Sequence, residues 1–181
     1  MRTLGYHDGY LGFLSAPKGP DRRDVRIVDV RAGTAAFAEV WVAINGTPIQ
    51  TTLTEPRPAM LERGRAALRR RCIEPRTVQG FLGEAVLEPC EVVLAAHVIE
   101  HCPDPLVALW QMRDLLLPGG RLHLVVSKPH WCNVIIWLQW RHRTFQEGEI
   151  VDLIQEAGFE IERVYDSPSR TSRGIVASRA N

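Results

Sequence analysis

Apolar and polar positions alternate through Val25-Arg26-Ile27-Val28-Asp29-Val30, a β-branched run that predicts a strand. A turn at Gly33-Thr34 follows, and Ala35 to Ile44 has the apolar spacing of a short helix closed by Asn45-Gly46. Pro48 to Thr54 reads as a second strand. Arg57 to Arg71 reads as a helix, with Met60, Leu61, Ala67 and Leu68 recurring at helical spacing. Residues 72–78 predict a weak third strand, and Gly80 to Leu87 a loop or short helix. The continuous run Val92-Val93-Leu94-Ala95-Ala96 predicts a strand buried on both faces. Pro105 to Leu117 reads as an amphipathic helix stopped by Pro118-Gly119-Gly120, and Arg121 to Ser127 as a strand. A helix over Phe145 to Ala157, closed by Gly158, precedes a strand pair at 159–165 and 174–177. Residues 1–24 lack such a pattern: glycines and prolines punctuate them, with Tyr6, Tyr10 and Phe13 available to pack on the domain formed by 25–181.

Strands that alternate with helices imply a mainly parallel sheet covered on both faces. The last two strands have no helix between them and predict an antiparallel hairpin at one edge. In such sheets ligands bind at the carboxyl ends of the strands, beside the switch in strand order. The candidate loops are therefore those after Val30, Thr54, Ala96 and Ser127.

Composition narrows the function classes. A formal net charge of +1 over 181 residues gives no global field for binding nucleic acid. Residues 1–80 carry 13 basic and 8 acidic side chains, so what asymmetry exists lies in the first half. Cys72, Cys90, Cys102 and Cys132 form no C-x-x-C pair and follow no signal peptide, which predicts reduced thiols in a cytoplasmic protein. No apolar run reaches the ~18 residues of a membrane span.

The segment E-V-V-L-A-A-H-V-I-E-H-C-P-D-P, followed by L-L-L-P-G-G-R-L-H-L-V-V, resembles class I S-adenosylmethionine-dependent methyltransferases, in particular the small UbiE-like (type 11) group. R-H-R-T-F-Q-E-G-E-I-V-D-L-I-Q-E-A-G-F-E-I resembles that family's penultimate helix and strand. The resemblance covers roughly residues 25–181. It implies an α/β, Rossmann-like fold: a mostly parallel seven-stranded sheet with an antiparallel last strand and helices on both faces. It also implies S-adenosylmethionine as cofactor and a small-molecule acceptor.

The same resemblance nominates the cofactor residues. The family's first strand ends D-x-G-x-G-x-G; here Asp29 and Gly33 keep the acid and the middle glycine, with Arg31 and Ala35 at the flanking glycine positions. Arg31 would either crowd the cofactor loop or clamp the cofactor's methionine carboxylate. Glu55 occupies the position of the acid that accepts both ribose hydroxyls, a task suited to a carboxylate's paired acceptors. The acid expected near the adenine amine is replaced by Gln79-Gly80-Phe81, leaving Phe81 or Leu82 to flank the base. His97 would sit by the cofactor at the end of the fourth strand. On the acceptor side, His130 or His142 could take a proton, since an imidazole titrates near neutral pH. Residues 131–140 carry Trp131, Trp137 and Trp140 and lead into Arg141-His142-Arg143; they suit a lid over a lipophilic acceptor, a homodimer contact, or docking to a membrane surface.

Three rival readings remain at this level. His97-Val98-Ile99-Glu100-His101 is literally H-x-x-E-H, a zinc-protease motif if it lay on a long helix. Its position directly after a strand and before Cys102-Pro103 argues against one. The altered glycine loop suits a methyltransferase-fold protein that binds or regulates without catalysing. A dinucleotide oxidoreductase would need G-x-G-x-x-G after the first strand, and that motif is absent.

Overall fold

A computed structural model describes residues 6–15, 24–84, 86–129, 143–167 and 171–180. Its seven strands are β1 (Arg26–Val30), β2 (Gln50–Thr54), β3 (Arg76–Val78), β4 (Cys90–Ala96), β5 (Leu116–Ser127), β6 (Phe159–Asp166) and β7 (Ser172–Arg179). They form one sheet in the order β3-β2-β1-β4-β5-β7-β6. The pairs from β3 through β5 are parallel, and β7 runs antiparallel to both β5 and β6. The expected hairpin therefore forms, with its second strand inserted against β5 and its first at the edge. The strand order reverses between β1 and β4, which places the ligand crevice over their carboxyl ends.

The helices among the described residues are α1 (Tyr6–Leu14), α2 (Ala36–Asn45), α3 (Pro58–Arg69), α4 (Pro105–Leu115) and α5 (Glu147–Glu156). Alternate strand residues feed two cores. Ile27, Leu53, Leu94 and Val125 join Phe13, Phe37, Trp41 and Leu68 under α1, α2 and α3. Val28, Val93, Leu122 and Leu124 join Leu109, Met112, Ile150 and Ile154 under α4 and α5. Burial on both faces explains why β4 reads as an unbroken apolar run over residues 92–96 rather than as alternation.

Two differences from the sequence reading have local causes. The helix expected to reach Leu117 ends at Leu115, and β5 begins at once with Leu116 extended. Pro118 disfavours the helical region for the residue before it, so the chain leaves the helix early. Gly120 then passes close to the neighbouring strand: a Cβ there would stand 3.1 Å from the Glu91 carbonyl oxygen. The second difference is α1, a helix in a stretch dense with glycine. Its stability comes from contacts distant in sequence. Phe13 is buried and stacks with Phe37 at 6.3 Å between ring centroids, and Gly174 leaves room for the Phe13 ring. Arg163 donates to the Phe13 carbonyl, an acceptor otherwise left over at the helix end.

Candidate functional site

The loop after β1 is stitched to the end of β2. The Arg31 amide donates to the Thr54 hydroxyl at 3.2 Å, the Ala32 amide to the Thr54 carbonyl at 2.8 Å, and the Gly33 amide to Glu55 Oε2 at 3.1 Å. Arg31, Gly33 and Ala35 all have left-handed backbone, with φ of 50°, 56° and 60°. These are the three positions where the family motif places glycine. The loop keeps the glycine conformation without two of the glycines, at a cost of about 1 kcal/mol for each side chain held there. Gly64 of α3 makes room for it, since a Cβ there would stand 3.2 Å from the Gly33 carbonyl and 3.3 Å from Ala35 Cβ.

Asp29 and Glu55 are both buried beneath this loop. Burial pushes the Asp29 carboxyl up to about 8, against the pull of the Ala38 backbone and with a further push from Glu55. Ala38 lies in the first turn of α2, whose leading residue Ala35 supplies no side-chain cap. Asp29 therefore serves from the strand as a partner for the helix start. Its Oδ2 has no hydrogen-bond partner among the described residues. Glu55 goes the other way. Burial pushes it up, but hydrogen bonds from the Arg57 side chain and backbone, the Arg57 charge and the Gly33 amide hold it below the usual carboxylate range. Arg57 Nε donates to Glu55 Oε1 at 2.7 Å and the Arg57 amide to the same oxygen at 3.2 Å.

Directly after β4, His97 has left-handed backbone with φ of 55°. Its Nδ1 lies 3.1 Å from both Glu100 Oε1 and the Ser127 hydroxyl. The Ser127 amide donates to Glu100 Oε1 at 2.7 Å, so the buried carboxylate joins the ends of β4 and β5. Glu100 sits below its ordinary range because, against the cost of burial, the bond and charge of His97 and the Ser127 amide favour the anion. Burial raises the Cys102 thiol, further than the charge of Arg31 lowers it.

The structure thus brings Asp29, Arg31, Gly33 and Glu55 together at one loop and places His97 directly after β4, the strand beside β1. Phe81 stands half-exposed in the loop after β3, and its amide donates to the Glu84 carboxylate at 3.2 Å, within that same loop. His130, His142 and the tryptophans of 131–140 lie outside the described residues. The H-x-x-E-H segment is a strand end followed by a 3-10 turn at Ile99–His101, so its histidines do not share a helix face. No group of three or more His, Cys, Asp or Glu side chains suited to a metal occurs among the described residues. Their cysteines, Cys72, Cys90 and Cys102, are free. No helix among the described residues is long and apolar enough to cross a membrane. Thr54, Arg57 and Ser127 were not singled out as site residues from the sequence. Only Arg57 had a readable signal there, a cation two positions after the acid it would meet.

Comparison with known proteins adds the family. A family model described as a methyltransferase domain matches residues 28–122. A ubiquinone biosynthesis O-methyltransferase of Cereibacter sphaeroides (strain ATCC 17025) is 27% identical over 161 residues, covering 81% of this chain and 64% of the relative. The chain thus spans somewhat less than two thirds of that relative's length. Among solved structures, an O-methyltransferase family 2 protein from Planctomyces limnophilus, crystallised with apigenin, superposes with a TM-score of 0.79 at 14% identity, covering 96% of this chain and 57% of its own. Magnesium protoporphyrin IX methyltransferase from Synechocystis, with bound SAH, gives 0.76 at 16% identity, covering 96% of this chain and 82% of its own. At these identities the structural likeness establishes the fold.

Proposed function

The chain belongs to the methyltransferase domain family, and from that premise we propose that it transfers the methyl group of S-adenosylmethionine to an oxygen of a small, lipophilic acceptor. The observation that carries this reading is the left-handed backbone at Arg31, Gly33 and Ala35. The loop thus keeps, at all three glycine positions of the family motif, the backbone with which that motif approaches its ligand.

The residues present fit the cofactor. A Cβ at Gly33 would have nothing nearer than 3.9 Å, so the loop offers an open approach to its backbone. Glu55 supplies carboxylate acceptors for the ribose hydroxyls, and Arg31 a guanidinium for the methionine carboxylate. His97, directly after β4 with its ring held by Glu100 and Ser127, is proposed to line the cofactor site. We propose that Phe81, half-exposed in the loop after β3, flanks the adenine.

When bound, the cofactor supplies an electrophilic methyl on a sulfonium. Attack by the acceptor oxygen on that carbon would break the carbon–sulfur bond and leave a neutral thioether, with Glu55 and Arg31 proposed to hold the cofactor in place meanwhile. The acceptor proton passes to a base, for which we propose His130 or His142. Holding the two reactants in line supplies much of the acceleration, so the protein needs no nucleophile of its own. An oxygen acceptor is supported by the name of the curated relatives, and lipophilicity by the tryptophans of 131–140. Residues 25–181 are proposed as the methyltransferase domain, with 1–24 packing on it.

Calorimetric titration with S-adenosylmethionine and S-adenosylhomocysteine tests the reading. Saturable binding is expected in the wild type. Glu55→Ala should weaken it by about 1–3 kcal/mol, the value of a hydrogen bond to a charged group, without loss of folding. Absence of binding in the wild type would instead favour a fold retained for regulation or assembly.

A further inference from the structure

Four acceptor positions surround the Glu55 carboxylate, two on each oxygen. Backbone amides hold one on each: Gly33 on Oε2 at 3.1 Å and Arg57 on Oε1 at 3.2 Å. These amides belong to the loop and to the start of α3, and they stay where the fold puts them. One position then remains on each oxygen. The Arg57 guanidinium fills that on Oε1, at 2.7 Å, while that on Oε2 is open among the described residues.

A vicinal diol that hydrogen-bonds a carboxylate in the two-pronged way delivers one hydroxyl to each oxygen. It fits this carboxylate only once the guanidinium has left Oε1. We infer that Arg57 is a displaceable clasp on the ribose-binding acid, competing with the cofactor's diol and thereby setting cofactor affinity. The inference rests on the proposal that Glu55 takes the ribose hydroxyls.

The pair is built for exchange. Glu55 is 1% exposed at its side chain and Arg57 is 64% exposed. The guanidinium can swing into water at little cost, where it is fully solvated. The carboxylate cannot follow, and left bare in the interior it would be strongly disfavoured. Arg57 thus keeps Glu55 ionised and aimed while the site is empty, and the diol takes over when it arrives.

The test compares S-adenosylhomocysteine with its 2′,3′-dideoxy analogue, which lacks the diol, by calorimetry on the wild type, Arg57→Ala and Arg57→Lys, each checked for an unchanged thermal transition. Arg57→Ala should bind S-adenosylhomocysteine roughly three- to tenfold more tightly than the wild type, and bind the dideoxy analogue with unchanged affinity. Arg57→Lys keeps the charge without the planar donor and should fall between the two. Equal or weaker binding of S-adenosylhomocysteine by Arg57→Ala overturns the clasp, as does an equal gain for both ligands, which would report only a change in local charge. Failure of the wild type and both variants to bind S-adenosylhomocysteine removes the methyltransferase reading, and the clasp with it.

Discussion

Asp29 and Glu55 show how two carboxylates under one loop divide in behaviour. Glu55 meets a cation and two amides and stays ionised; Asp29 meets one amide and a neighbouring negative charge, and burial pushes it to about 8. The consequence for stability follows from linkage. Between the ordinary carboxylate range and about 8 the folded chain holds a proton at Asp29 that the unfolded chain has lost, so stability from this group falls as pH rises. Asp29→Asn keeps an acceptor for the Ala38 amide and removes the titration. The melting temperature of the wild type should decline more steeply from pH 5 to 8 than that of the variant, as followed by circular dichroism. Parallel slopes would show that Asp29 does not carry the proton. The acid at 29 was legible in the sequence because the family motif marks it. Its protonation was not, since that comes first from burial and then from the charge of Glu55, and both arise only on folding.

At the scale of the element, the loop between β1 and α2 depends on a helix that does not belong to it. Gly64 lies on α3, where alanine would ordinarily be the better helix former. Here its added methyl would press on the Gly33 carbonyl, Ala35 Cβ and a Leu53 methyl, all within 3.3 Å. Gly64→Ala should therefore lower stability by about 1 kcal/mol, overpacking outweighing propensity. It should also weaken S-adenosylhomocysteine binding by displacing Gly33, measurable by paired thermal melts and calorimetry. A more stable variant with unchanged affinity would show that α3 can yield. Strand and helix positions were largely legible because the apolar periodicity is strong from Val25 to Ser127. Where the reading failed, the deciding contact was remote. α1 draws its stability from Phe37, Arg163 and the space over Gly174, and no local pattern in a glycine-rich stretch announces those partners.

Across the whole molecule, the sheet separates two cores, and the one under α1 to α3 contains a histidine. His123 sits in mid-β5, edge-on to Phe13 with ring centroids 6.2 Å apart. Burial first, then the charges of Arg121 and Arg163, lower it to about 3. The unfolded chain binds a proton there below about 6.5 and the folded chain does not, so stability is lost as pH falls through that interval. His123→Phe should flatten the acid limb of a pH–stability profile between about 6.5 and 3. An unaltered acid limb would assign acid unfolding to other groups. The mostly parallel sheet and its antiparallel terminal hairpin were legible from the alternation of elements, whereas the order of the strands was not, since hydrophobic patterning fixes which residues are strands and leaves their neighbours undetermined.

That order also constrains how the chain reaches its final form. β7, at 172–179, slots between β5 and β6, and both of its neighbours precede it in the chain. As the polypeptide leaves the ribosome, β5 must wait with one row of backbone donors and acceptors uncovered until more than forty further residues have been made. An open strand edge of that kind invites pairing with other chains, and α1 has no Gly174 to settle over during the same interval. The strand that seals the sheet is therefore made after both of its neighbours, and nascent chains cut short before it should be the species that aggregate.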